Sequence, residues 1–139
     1  MRIQICAILP TYKHIDELDR IITRMRALGL EVIVIDDGNA RDIAVELTQI
    51  CARFEGVELV RREYNGGKGA AVIDGMRRAA QRGFSHALQV DSDGQHDLAR
   101  VTDMLALVRQ FPSALVTGKP VFDDSVPRGR LIGRWITHI

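Results

Sequence analysis

The 139-residue chain is 46% apolar and 27% charged, enough apolar material for the core of one α/β-sized domain spanning residues 1–139. Its formal charge of +1 and isoelectric point near 7.9 provide no basic field to grip a phosphodiester backbone, so nucleic acid is excluded as a partner. Cys6 and Cys51 stand far apart in apolar-patterned segments without CxxC spacing, which predicts buried free thiols in a reducing cytoplasm rather than a disulfide or a metal centre.

Taken in order, short apolar runs alternate with amphipathic stretches, the βαβα pattern of a mostly parallel sheet covered by helices. The first strand is expected at Ile3–Leu9, stopping at Pro10. The polar Tyr12-Lys13-His14 that follows comes too early for a signal peptide, and no apolar run approaches a membrane span. The expectation is a chain that is neither secreted nor membrane-spanning. Ile15, Leu18, Ile21, Ile22, Met25 and Leu28 recur with a helical period, and Gly29 is the expected stop. A strand at Val32–Ile35 ends in Asp36-Asp37-Gly38, and a helix follows over Asp42–Phe54. A third strand at Val57–Val60 leads to Asn65-Gly66-Gly67-Lys68-Gly69 and a helix over Lys68–Gln81. A fourth at Ala87–Val90 runs into Asp91, a helix spans Asp97–Gln110, and a fifth strand is expected at Ala114–Thr117.

Ligands of open α/β sheets bind beyond the carboxyl ends of the strands, where this chain carries its polar motifs. In Asp91-Ser92-Asp93-Gly94-Gln95-His96, alternation along extended backbone turns Asp91 and Asp93 to the same side. Two hard carboxylates so placed suit Mg²⁺ or Mn²⁺, with coordination positions left for diphosphate oxygens and water. The plain alternative is a turn with two solvated acids. Asp36-Asp37-Gly38-Asn39 offers a carboxylate for a base N–H or a ribose hydroxyl, or else an ordinary βα turn with helix capping. Pro10-Thr11-Tyr12 offers a rigid backbone, a hydroxyl and an aromatic face for a nucleoside, although Tyr12 serves equally as a packing residue. In Asn65-Gly66-Gly67-Lys68-Gly69 the backbone amides and Lys68 can face phosphate oxygens. Neither a Walker A loop nor a GxGxxG fingerprint is present, which counts against a P-loop nucleotidase and a dinucleotide dehydrogenase.

The ordered set Leu9-Pro10-Thr11-Tyr12, Val34-Ile35-Asp36-Asp37-Gly38, Asn65-Gly66-Gly67-Lys68-Gly69-Ala70-Ala71 and Asp91-Ser92-Asp93-Gly94-Gln95-His96 resembles family 2 glycosyltransferases. It looks closest to their polyprenyl- or dolichyl-phosphate sugar synthase branch. The resemblance implies a GT-A fold, Rossmann-like, with a mostly parallel sheet flanked by helices. Members typically run about a hundred residues further, so it also implies a chain cut short after the fifth strand and one more helix.

By the same resemblance, Pro10, Thr11, Tyr12 and Asp37 hold the nucleoside of a UDP- or GDP-linked sugar, with Asp37 the partner of the base. Asp91, Asp93 and Gln95 line the metal and diphosphate, with Asp91 and Asp93 as ligands of Mn²⁺ or Mg²⁺. Lys119 occupies a position where the family commonly has arginine, and Arg130 matches a second basic residue near the donor phosphates. Lysine keeps the charge there but loses the bidentate fork. The implied reaction is sugar transfer with inversion to an acceptor such as a polyprenyl phosphate. No residue stands out as a general base, and an ionised phosphate acceptor needs none.

The terminal stretch 130–139 can form a helix with Leu131, Ile132, Trp135, Ile136 and Ile139 on one face, suited either to a membrane surface or to a core. The expected location is therefore cytoplasmic, with contact at the inner membrane face as one option, and apolar surface left uncovered would favour a homodimer. His96 either meets acceptor or sugar or caps the following helix. Two other readings stand beside the transferase. Asp91-Ser92-Asp93-Gly94 also resembles the DxDG motif of haloacid-dehalogenase-like phosphatases, but it follows the fourth strand instead of the first and continues with Gln95-His96. The other reading is a module that binds a nucleotide without turning it over.

Overall fold

The structure is a computed structural model and describes residues 2–94 and 97–118. The chain alternates β1 (Ile5–Thr11), α1 (Leu18–Ala27), β2 (Glu31–Asp36), α2 (Arg41–Ala52), β3 (Val57–Arg61), α3 (Lys68–Gln81) and β4 (His86–Gln89). A 3₁₀ turn at Leu98–Arg100 leads into α4 (Val101–Gln110). The strands form one parallel sheet in the order β3-β2-β1-β4, the α/β arrangement expected.

All seven residues of β1 are buried, the mark of a parallel strand covered on both faces. Alternation divides its side chains between two cores. Ala7 and Leu9 join Leu18, Ile21, Ile22 and Met25 of α1 with Val32, Val34 and Leu47, while Cys6 and Ile8 join Ile33, Ile35, Ala71 and Ala79 under α3. Each fully buried Leu or Ile contributes about 1.5–3 kcal/mol by removal from water. Helix α3 reaches the sheet closely because Gly75 has no side chain: a Cβ there would lie 2.5 Å from Ile8 Cγ2 and 2.8 Å from Ile35 Cδ1.

Helix ends follow their glycines. After α1, Leu30 N donates to Met25 O (3.1 Å) and Gly29 N to Arg26 O (2.9 Å), with Gly29 at φ 78°. This is a Schellman motif, and the same bonds recur after α3 at Gly83 and Phe84. At the start of the 3₁₀ turn, Asp97 Oδ1 accepts from Ala99 N at 3.0 Å.

Two of the expected strands change. β1 continues through Pro10 to Thr11, in register with Ile35 and Asp36. Ile8 O accepts from Val90 N, so the even-numbered residues of β1 turn their backbone polar groups towards β4. Pro10 therefore lacks its N–H on the side where β4 has ended, at Gln89 opposite Ile8, and no ladder bond is lost there. The fifth strand expected at Ala114–Thr117 is not formed, and Leu115 is 90% exposed. A strand persists only through pairing, and this segment pairs with none of the described residues. The helix expected over 130–139 lies outside the described residues. Among the described residues no helix is long and apolar enough to cross a membrane.

Cys6 and Cys51 are buried free thiols, and burial pushes both up to about 11. Neither should react with iodoacetamide at pH 8 in the native chain, and both should react in denaturant, as counted by intact mass. Gly75→Ala should lower stability by about 1–3 kcal/mol in urea unfolding, because the sheet leaves no room for the added carbon.

Candidate active site

Strand order reverses at β1: β2 and β3 lie on one side and β4 on the other. The carboxyl ends of β1 and β4 therefore diverge into a crevice, the usual ligand position of such sheets. A cleft of about 270 Å³ opens there, walled by Pro10, Thr11 and Tyr12 after β1, Asp37 after β2, Lys68 at the start of α3, and Asp91, Ser92 and Asp93 after β4. Seven of the sequence-predicted site residues and metal ligands thus line one space. Gln95, Lys119 and Arg130 lie outside the described residues, as does His96.

The adjacent acids of β2 have separate tasks. Asp36 is buried and fully engaged: Oδ1 accepts from Asn39 N (2.9 Å) and Asn39 Nδ2 (2.8 Å), and Oδ2 accepts from Arg61 Nε (2.8 Å). It closes the β2–α2 turn, as the plainer sequence reading of this motif supposed. Asp37, equally buried, lines the cleft, and its Oδ1 accepts from Arg62 Nη1 (2.5 Å) and from Gly66 N (3.0 Å). Arg62 in turn donates through Nε to Asp74 Oδ2 of α3 at 2.7 Å. Hydrogen bonds to Asp37 and Asp74 raise the Arg62 pKa above its ordinary value and hold the guanidinium charged. Gly38, at φ 66°, lets the loops meet: a Cβ there would lie 2.2 Å from Asn65 N.

Tyr12 is held from below by Asn39. Asn39 Nδ2 donates to Thr11 O (2.9 Å) and Asn39 Oδ1 accepts from Lys13 N (2.7 Å), while Asp37 N donates to Thr11 O at 3.0 Å. His14 N donates back to Tyr12 O at 2.8 Å, with Lys13 at φ 65°, a backbone region that non-glycine residues rarely occupy. The result is a 42% exposed aromatic ring at the cleft mouth, with the Lys13 ammonium 5.1 Å from its centroid.

On the far wall, Lys68 Nζ pairs with Asp91 Oδ2 at 2.5 Å, and Gln89 Nε2 reaches Asp91 Oδ1 at 3.3 Å. Asp93 lies beyond the buried Ser92 on an exposed turn, so the period-two alternation expected of Asp91 and Asp93 does not apply: β4 has ended at Gln89 and the backbone there is no longer extended. Asp37, Asp91 and Asp93 bring three carboxylates to the cleft wall beside the Lys68 ammonium. No cluster of three potential His, Cys, Asp or Glu ligands exists among the described residues. Asp91 and Asp93 are the residues there that could contribute oxygen ligands to Mg²⁺ or Mn²⁺.

Sequence reasoning gave no role to Asn39 or Arg62, nor to His14 and Asn65, which also line the cleft. Asn39 stood in a quoted motif without a role, and nothing local marks Arg62, whose partners lie 25 and 12 residues away. A hydrogen bond between strand ends has no sequence period.

Sheet and switch-point cleft together define an open, parallel-sheet α/β domain with its candidate site at the carboxyl ends of the strands. The chain belongs to glycosyl transferase family 2, whose model matches residues 6–136. It is 29% identical over 136 residues to undecaprenyl-phosphate mannosyltransferase of Micrococcus luteus, covering 96% of this chain and 53% of that protein. It is 28% identical over 102 residues to polyprenol monophosphomannose synthase of Mycolicibacterium smegmatis, covering 69% and 38%. A 78-residue stretch is 27% identical to the signal recognition particle receptor FtsY of Aquifex aeolicus, covering 56% of this chain and 17% of that protein. The chain thus spans about half or less of the curated relatives it matches. Family membership decides between the two enzyme families that Asp91-Ser92-Asp93-Gly94 resembles, in favour of the transferase.

The division of labour at β2 is testable by urea unfolding. Asp36→Ala should cost about 1–3 kcal/mol, because Arg61 and Asn39 lose a buried acceptor.

Proposed function

We propose that this domain binds a nucleotide-diphosphate sugar, linked to UDP or GDP, and transfers its sugar with inversion to a polyprenyl phosphate. The observation that carries the reading is the cleft itself, which sets an aromatic ring and a buried carboxylate at one end and Lys68, Asp91 and Asp93 at the other. Such a gradient from aromatic to charged matches a nucleoside joined to a diphosphate. The names of the Micrococcus and Mycolicibacterium relatives support a lipid-phosphate acceptor and a mannosyl donor.

In this reading Tyr12 packs on the nucleoside, with Pro10 and Thr11 forming the floor. Asp37, with Oδ1 held by Arg62 and Gly66, accepts a hydrogen bond from the base through its other oxygen. Lys68 and the amides at the start of α3 face the phosphates. Asp91 and Asp93 would hold Mn²⁺ or Mg²⁺, which when bound would supply Lewis-acid stabilisation to a diphosphate leaving group. Gln95, Lys119 and Arg130 complete the diphosphate contacts. The acceptor phosphate is already ionised near neutral pH, so attack on the anomeric carbon asks no proton transfer of this chain. An acceptor of this kind would bring the domain to the inner face of a membrane.

The deciding experiment is calorimetric titration with UDP and GDP, each with and without Mn²⁺, followed by a transfer assay with a short-chain polyprenyl phosphate. One nucleotide should bind in a metal-dependent manner, and Asp93→Ala should weaken it at least about tenfold, roughly 1.4 kcal/mol. Absence of binding by either nucleotide overturns the assignment. Metal-dependent binding without transfer favours the binding module.

A further inference from the structure

We propose that Asn39 and the strained turn at Lys13 form a clamp that presets the Tyr12 ring for a nucleoside, so that Lys13 acts through its backbone conformation and not through its charge. The inference rests on the reading of Tyr12 as the surface on which the nucleoside packs. It adds Asn39 and Lys13 to the site as positioning residues.

Among the described residues Lys13 is the one residue other than glycine with a positive φ, at 65°. His14 N donates across it to Tyr12 O at 2.8 Å, which with that φ is the pattern of a γ-turn of the rare, strained kind. Strain of this sort persists only where neighbouring groups enforce it, and it concentrates at ligand sites. Tyr12 and His14, on either side of Lys13, both line the cleft.

Asn39 enforces the turn from another loop. Its Oδ1 accepts from Lys13 N at 2.7 Å and its Nδ2 donates to Thr11 O at 2.9 Å, so one amide grips the backbone on both sides of Tyr12. Asp36 Oδ1 accepts from the same Nδ2 at 2.8 Å. Because Thr11 O and Asp36 Oδ1 are both acceptors, the amide nitrogen has to face them, which leaves the amide oxygen for Lys13 N. An asparagine just ahead of a helix ordinarily caps it. Here the N-cap of α2 is Ala40, without a side-chain cap bond, and Asn39 serves the end of β1 instead.

The Lys13 side chain is exposed, with its ammonium 5.1 Å from the Tyr12 centroid. An exposed cation over a ring is a weak hold, whereas the two amide bonds fix the backbone from which the ring projects. A ring so held loses less freedom when a flat ligand stacks on it, and the difference appears as affinity.

The test separates backbone from charge at Lys13 by calorimetry in Mn²⁺, with whichever of UDP and GDP binds the wild type more tightly. Lys13→Val and Lys13→Asn both remove the ammonium, but a β-branched residue resists positive φ and asparagine tolerates it. Lys13→Val should weaken the nucleotide about three- to tenfold, because fewer molecules hold the competent turn. Lys13→Asn should stay within about twofold of the wild type. In a Tyr12→Ala background Lys13→Val should cost less than about twofold more, since the clamp works through the ring. Asn39→Ala and Lys13→Val release the same turn and should not add. Thermal unfolding of each variant confirms that the fold is intact.

The clamp is overturned if Lys13→Val binds as tightly as the wild type, or if Lys13→Asn loses as much as Lys13→Val, which would assign the effect to the ammonium. A loss that persists undiminished with Tyr12→Ala overturns it too, and full additivity with Asn39→Ala takes Asn39 out of it. In all these cases a wild type that binds nucleotide leaves the cleft assignment standing. A wild-type chain that binds neither nucleotide removes both.

Discussion

The structure depends on one strand that is buried on both faces and yet must end in an open crevice. β1 divides its side chains between two cores, so its position is fixed by packing above and below. Its neighbour β2 runs alongside to Asp36, whereas β4 stops at Gln89, opposite Ile8. The backbone of Pro10, Thr11 and Tyr12 therefore emerges from the core with one side supported and the other open. Pro10 suits that asymmetry because its missing N–H falls on the open side.

Around this strand end the chain uses buried polar groups to fix loops that apolar packing cannot reach. Asp36, Asn39 and Arg61 tie the β2–α2 turn to the end of β3, and Asn39 also ties it to the end of β1. Asp37 and Arg62 tie the same turn to the glycine loop and to α3. Among the described residues no buried side-chain polar atom is left without a partner, as such networks require. The end of the cleft at Tyr12 and Asp37 is thus braced by hydrogen bonds from three loops. The end at Lys68 and Asp91 differs, with a more exposed ion pair in place of a buried knot.

Much of this was legible beforehand. Continuous apolar runs marked the parallel strands, the helical period of Ile15 to Leu28 marked the first helix, and Gly29 marked its end. Those signals are local, because strand alternation, helix period and left-handed glycines are properties of neighbouring residues. Even so, the first helix is regular only from Leu18, and Ala114–Thr117 shows that an apolar run without a pairing partner is not a strand.

By itself, then, the sequence determined the α/β order, the family likeness and the set of polar motifs at the strand ends. Only the tertiary structure decided which of two adjacent aspartates faces the cleft, that Arg62 and Asn39 brace it, and that Lys68 meets Asp91. Periodicity tells which way a side chain points from its own element. Which charge it meets depends on strand order and loop path, and those are set by the packing of the whole sheet.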